Sequence, residues 1–284
     1  MTGTRLREAG PFRRTCRWPA IALLALVAAA CATSPTGRRQ FMIVSPQTAI
    51  AESAVAYLDT VRRLEAQNKL LDDPAAADRI AEIAGRVVGE AVAQYPHTAN
   101  WQWSVALVDE PDTANAWCMA GGRMAVYSGL METLDLSDAE LAHILGHEAA
   151  HAIANHPAER MSIVLATQTG LMAAAANDED TVTLMGAALA AELAIALPNS
   201  RASEAEADLM GMELATRAGY DPAAAVSMWT KLQASGEASI PEFLNTHPSS
   251  ENRRETLAGL IAQMSRLTPE FRRDPYPVEI IAAD

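Results

Sequence analysis

Ser137-Asp-Ala-Glu-Leu-Ala-His-Ile-Leu-Gly-His147-Glu148-Ala149-Ala150-His151 is the stretch around which the chain organises itself. Its first four residues have the form of a capping box. A serine accepts from the backbone three residues on, and a glutamate reaches back to the serine. The helix so opened runs through Leu141, Ile144 and Leu145 to the two histidines. Residues four apart share a helix face, so His147 and His151 can converge on one metal ion. Glu148 lies on the adjoining face, where it can reach water at the metal without ligating. Two neutral imidazoles and a carboxylate base are what a zinc hydrolase needs. The plain alternative is a solvated helix face carrying two histidines by coincidence. His143 extends the ladder, but its ends stand about 12 Å apart at 1.5 Å per residue, too far for one ion. It is read as a core or ligand-supporting residue, and His97 and His156 as structural.

A catalytic zinc site wants a third protein ligand and an open position. The metzincin continuation, a glycine and then a third histidine, is excluded because those places hold Ala154 and Pro157. Asn199-Ser-Arg-Ala-Ser-Glu204-Ala-Glu206-Ala-Asp208 is the better source. Glu204 and Asp208 are four apart on one face. Glu204 can ligate, while Asp208 accepts from a ligand histidine and fixes its tautomer. Glu206 points elsewhere and is read as solvated or in a surface ion pair. Taken alone, this segment is an ordinary acidic helix start.

Working outward, Ser45-Pro46 and Asp72-Asp73-Pro74 each begin a helix, the first through about Leu70 and the second ending at Pro96. Trp101–Val108 alternates as a strand, Ala114–Met119 follows as a second, and Gly122–Tyr127 as a third after the Gly121-Gly122 turn. From Ser137 the pattern is helical. Met161–Ala176 and Thr181–Leu197 are apolar but short for a bilayer crossing, which takes about 20 residues, and are expected as buried core helices. The fold class is α+β, mainly α, with a small antiparallel-containing sheet beside the active-site helix.

The amino end reads as an address. Arg5, Arg7, Arg13, Arg14 and Arg17 against Glu8 precede an uncharged run from Pro19 to Ala30, short for a membrane helix and right for a signal-peptide core. It ends in Ala-Ala-Ala-Cys31, similar to a bacterial lipobox except that Ala28 stands where leucine is usual. Ordinary cleavage after Ala30 is the alternative. Beyond it lies one further cysteine, Cys118, read as a small buried apolar residue, so no internal disulfide forms in the body. The net charge of −13 over 284 residues argues against nucleic-acid binding, which needs clustered positive charge.

His-Glu-Ala-Ala-His at 147–151 and Ser-Arg-x-x-Glu-x-Glu-Ala-Asp at 200–208 together resemble the HtpX/CAAX-prenyl-protease/Oma family of zinc metallopeptidases. Asn115–Leu130 resembles the strand-turn-strand ahead of the zinc helix there, and Asn245-Thr-His-Pro248 with Arg253-Arg254 its late Thr-His-Pro segment. Residues from Cys31 to Met42 look like the start of its secreted lipoprotein members. The resemblance implies one zinc per chain, held by His147, His151 and Glu204, with Glu148 as base and His247 near the metal. There His247 would be either an inhibitory fourth ligand or an oxyanion donor. It further implies a periplasmic endopeptidase anchored to the outer membrane through Cys31, acting on unfolded or misfolded envelope proteins. Substrate is expected to pair with Gly122, Arg123, Met124, Ala125, Val126 and Tyr127 as an edge strand. The rival is a metal-binding chaperone or assembly module using the same cleft. The expected organisation is a signal peptide at 1–30, a tether at 31–45, the peptidase domain at 46–267 and a tail at 268–284.

Overall fold

The computed structural model describes residues 31–175, 183, 185, 197–234, 242–247, 252–267 and 274–283. The leader and most of residues 181–197 lie outside the described residues.

A short hairpin of β1 (Cys31–Thr33) and β2 (Arg39–Phe41) leads into α1 (Pro46–Ala66) and α2 (Pro74–Gln94). Both helices begin as the sequence dictates. Ser45 accepts from the Thr48 N–H, Asp73 accepts from Ala75 and Ala76, and each has proline in its first turn. Strands β3 (Ser104–Val108), β4 (Ala116–Met119) and β5 (Arg123–Tyr127) then form, followed by α3 (Ser128–Thr133) and the metal-site helix α4 (Asp138–Ile153). Helices α5 (His156–Ala175), α6 (Leu197–Arg217), α7 (Ala223–Ala234), α8 (Glu242–Thr246) and α9 (Arg253–Met264) complete the helical layer, and β6 (Glu279–Ile281) comes last.

The sheet is mixed, in the order β4-β5-β3-β6. β4 and β5 are antiparallel, with Trp117 opposite Ala125, while β3 pairs parallel with β5 on one side and β6 on the other. The mainly helical α+β expectation holds. Two segments carry more structure than expected. Residues 31–45, read as a tether, contain the β1–β2 hairpin, and the tail contributes β6. Tyr276 N–H donates to Gly85 O, and a Cβ on Gly85 would stand 2.8 Å from Pro275 Cβ, so this glycine lets the returning chain lie on α2.

α4 is buried along almost its whole length, packed on α2, α6, α7 and β4. Ile80, Val87, Val105, Met124, Leu141, Ile144 and Leu145 belong to the core that surrounds it. The decisive contact is with α6. A Cβ on Gly146 would fall 2.7 Å from Gly211 O, and one on Gly211 would fall 2.6 Å from His147 N. The two helices therefore cross backbone to backbone, which carries Glu204 and Asp208 onto the histidine face of α4.

Met161–Ala176 departs from its buried expectation. Ser162 is buried, but Val164, Leu165 and Met172 of α5 are exposed. No helix among the described residues is long and apolar enough to cross a membrane.

Candidate metal centre

The capping box forms as read: Ser137 Oγ accepts from Glu140 N–H, and Glu140 Oε2 accepts from Ser137 N–H at 2.8 Å. Three turns on, His147 Nε2 and His151 Nε2 face each other at 3.0 Å. Glu204 brings Oε2 to 3.4 Å from His147 Nε2 and Oε1 to 3.4 Å from His151 Nε2. His247 completes the group, its Nδ1 3.2 Å from His147 Nε2 and 3.1 Å from Glu204 Oε2. All four residues are buried, and one ligand atom from each lies within 4.8 Å of the others.

These spacings test the fit to a metal. Ligand atoms about 2.0–2.1 Å from a tetrahedral zinc stand a little over 3 Å from one another, as His147 does here from His151 and His247, and Glu204 from His247. Three imidazole nitrogens and a carboxylate turned on a common point cannot satisfy one another with the protons they carry. A cation at that point satisfies them all. The donor set suits zinc. Burial holds His151 well below its ordinary pKa, with His147 adding to the effect, so it stands as the neutral imidazole that ligation requires. Glu204 is held far below the carboxylate range: burial raises it, and the hydrogen bonds of His147 and His247, with the charge of His147, more than offset this.

Asp208 Oδ1 is 3.2 Å from His147 Nδ1, the contact expected to fix that ring. Arg253 grips Asp208 through both oxygens, Nε to Oδ2 at 2.5 Å and Nη2 to Oδ1 at 2.8 Å, and also lies 3.0 Å from Glu204 Oε2. Its guanidinium stacks 3.9 Å above the Trp229 ring. The sequence reading carried Arg253 only as part of a late motif and gave it no role.

Glu148 is buried, and its Oε1 lies 3.2 Å from His247 Nε2 without a hydrogen bond. His247 is thus turned both ways, Nδ1 to the ligand cluster and Nε2 to Glu148. Burial works against a charge on it, but Glu148 and Glu204 dominate and lift its pKa to about 9. The Phe243 ring stacks on the imidazole, centroids 4.5 Å apart.

His143 turns away from the cluster and donates from Nε2 to Asp221 O. His97 is exposed beside Trp101. Three sequence expectations need correction. Glu206 is neither solvated nor on the surface: it is buried and bonded to Thr36, Arg38 and His156. Cys118 is only partly buried, its thiol donating to Met119 O. Finally, Gly122–Tyr127 does not offer an edge. β5 pairs with β3 and β4 together, so its backbone groups are spent on both sides, and β4 is the outer strand beside α4.

The peptidase family M48 model matches residues 74–261, a span that includes every residue of the cluster. The chain belongs to that family. Among its relatives, the mitochondrial metalloendopeptidase OMA1 of Arabidopsis thaliana is 36% identical over 176 residues, covering 60% of this chain and 34% of the relative. The OMA1 metalloendopeptidase of Bos taurus is 35% identical over 185 residues, covering 61% and 35%. The beta-barrel assembly-enhancing protease of Escherichia coli is 27% identical over 227 residues, covering 76% and 45%. The chain spans about a third of the length of the first two. Its M48 membership rests on the same segment that builds the His147, His151, Glu204 and His247 cluster.

Proposed function

We propose that this chain is a zinc-dependent endopeptidase of the bacterial cell envelope, acting on unfolded or unassembled envelope proteins. The observation that carries the reading is the convergence of four buried donor atoms within 4.8 Å of one another, with the carboxylate of Glu148 beside them. His147, His151 and Glu204 would hold one zinc. When bound, the metal supplies Lewis acidity toward a scissile carbonyl and acidifies water. Glu148 takes the proton of the attacking water on its carboxylate and returns it to the departing amine nitrogen. Asp208, braced by Arg253, keeps the His147 ring in its ligating tautomer.

His247 is proposed as an inhibitory fourth ligand. Its Nδ1 stands at ligand distance from the other donors. With its one hydrogen kept on Nε2 toward Glu148 and the Nδ1 proton given up to the metal, it would close the fourth position and hold off the water that turnover needs. In the alternative, its Nε2 donates to the oxyanion forming at the carbonyl. Substrate is proposed to add as a strand to the outer edge of β4, which suits extended chains because strand addition reads backbone more than side chain. A cavity of about 270 Å³ beside the cluster, with Leu209, Leu257 and Leu260 in its wall, offers an apolar place for a substrate side chain.

The envelope setting rests on the signal-like leader, the lipobox-like Cys31 and the similarity to the Escherichia coli protease. Anchoring at the outer membrane through a lipid on Cys31 is part of the same proposal, and Cys31→Ser should then move the protein into the soluble fraction. The deciding experiment incubates the purified protein with an unfolded polypeptide, with and without a zinc chelator. Cleavage abolished by the chelator and restored by zinc is the expected result. Binding of unfolded protein without any cleavage would transfer the reading to the metal-binding chaperone.

A further inference from the structure

Behind the metal cluster, on the side away from Asp208, lies a second chain of polar contacts that the catalytic reading leaves unused. It begins in the N-terminal hairpin. Arg38 makes a bidentate contact with Glu159, Nη2 to Oε2 at 2.6 Å and Nη1 to Oε1 at 3.1 Å, and donates from Nε to Glu206 Oε2 at 2.7 Å. Thr36 Oγ1 donates to Glu206 Oε1 at 2.5 Å. Gln40 donates to Ala154 O and to Glu159 Oε2, next to the turn between α4 and α5. Glu159 and Glu206 are both buried, so without Arg38 two neighbouring carboxylates would lose their common cation.

Docking alone does not account for what Glu206 does next. The oxygen that accepts from Arg38 also lies 3.2 Å from His156 Nε2, and His156 Nδ1 lies 2.8 Å from His151 Nδ1. That last contact admits one proton, and the chain dictates which ring holds it. Glu206 can only accept, so His156 carries a hydrogen on Nε2, and as the neutral ring it presents a bare Nδ1. His151 must then carry its own hydrogen on Nδ1, which leaves a lone pair on Nε2. Nε2 is the His151 atom that faces His147 and Glu204. The tautomer and ring plane of one metal ligand are therefore set from the N-terminal hairpin.

The arrangement repeats the one on the opposite side. There Arg253 braces Asp208, and Asp208 orients His147. Here Arg38 braces Glu206, and Glu206 orients His151 through His156. One guanidinium is supplied by α9 and the other by the hairpin.

We propose that residues 34–41 are a positioning strap for the metal ligand His151, with Arg38, Glu206 and His156 as its positioning residues. The inference rests on the reading of His151 as a zinc ligand. It makes the hairpin part of the metal site: undocking it frees Glu206, lets His156 turn, and releases His151 from its ligating tautomer.

The test measures zinc affinity of the full-length chain by competition with a chromophoric chelator, together with the visible spectrum of the cobalt-loaded protein. His156→Phe keeps a ring but no acceptor, and should lose about tenfold to a hundredfold in zinc affinity. His156→Asn places an amide oxygen where Nδ1 stands, and should recover affinity to within about threefold of wild type. Arg38→Met, remote from the metal, should weaken zinc by about threefold to tenfold and shift the cobalt bands. Wild-type affinity in His156→Phe and Arg38→Met, or an asparagine variant as weak as the phenylalanine one, overturns the proposal. Should His156→Phe not accumulate as folded protein, Arg38→Met decides, and an unchanged affinity and cobalt spectrum overturn it. A wild-type chain that takes up no zinc overturns the metal-centre reading and this inference with it. A zinc-binding wild type with indifferent variants overturns this inference alone.

Discussion

At the amino end of α4, Glu140 is buried and fully provided for. Its Oε2 accepts from Ser137 N–H at 2.8 Å, Ser137 Oγ at 2.9 Å and Lys231 Nζ at 2.8 Å, while Oε1 accepts from Ser227 Oγ at 2.7 Å. At the other end of the same helix, Glu148 is as deeply buried, yet its Oε1 has no well-formed hydrogen bond and faces His247 Nε2 at 3.2 Å. Around it, donor atoms of His147, His151, Glu204 and His247 turn toward one point rather than toward separate partners. Two carboxylates on one helix thus face opposite regimes. The first is closed by fixed donors and holds the fold. The second is left with capacity to spare, which is what proton transfer needs. A buried charge marks a working site when its surroundings are incomplete, not merely because it is buried.

The contrast breaks most sharply at Glu148. Glu148→Gln keeps size and shape but cannot take a proton, and cleavage should fall by at least about a hundredfold, the low end of general-base contributions. Zinc content measured on the same preparation should be unchanged. Activity close to wild type would remove the distinction between the two ends.

Gly211→Ala attacks the crossing that brings α6 to the open end. The new methyl would meet backbone at 2.6 Å, so the helices must part, at a cost of about 1–3 kcal/mol. Denaturant unfolding should report that loss, and zinc retention should drop with it, because Glu204 and His151 are no longer held at 3.4 Å. Loss of stability with zinc affinity intact would mean that the crossing does not set the site.

His247→Ala sharpens the idea of an incomplete site that is held shut. Basal cleavage should rise by about tenfold if the open form is populated at about one part in ten. A large fall in turnover would instead assign His247 to the oxyanion.

Glu140→Gln, at the closed end, should leave turnover per zinc unchanged and lower stability by about 1 kcal/mol. Its pH dependence follows from the depressed carboxyl. Burial pushes Glu140 up, but Lys231, Ser137 and Ser227 win and hold it near about 2. The group is depressed on folding, so its contribution is complete above the ordinary glutamate range near about 4.3. It is lost as pH falls toward the folded value. The difference in thermal midpoint between variant and wild type should be constant near neutrality and vanish near pH 2. A difference that persists at that pH would show that Glu140 acts through packing.

What the sequence discloses about these two ends follows from range. The capping box and the His147–His151 pair depend on spacings of three and four within one helix, so their geometry is written locally. Glu204 and Asp208 are likewise paired on their own helix, and motif knowledge connected them to α4. The Gly146–Gly211 contact that makes the connection physically is silent in the sequence, since a glycine does not announce its partner. Glu206 was misread for the same reason. Helical periodicity turns it away from Glu204, and nothing local says that the hairpin around Arg38 comes to meet that face. β5 was read as an edge because the turn at Gly121-Gly122 reveals only its pairing with β4. Its other neighbour, β3, is reached through a parallel crossover that no short-range signal encodes.

The parallel pairing of β3 with β6, Ser104 opposite Glu279, has a consequence in time. At equilibrium a long loop is not expensive, since each doubling adds only about 0.6 kcal/mol to its closure. Kinetics are another matter: contacts between strands so far apart in sequence form late. β4 and β5 can zip as neighbours as soon as both exist, and Lys69–Leu71 can cover the Leu107–Asp109 end of the outer flank early, whereas the flank at Ser104–Ala106 stays bare until nearly all of the described chain is in place. During that interval a young molecule presents an unpaired stretch of strand at Ser104–Ala106, the same kind of surface it is proposed to seek in others. Two nascent copies could join along that flank before either is finished, so refolding yield should fall as protein concentration rises.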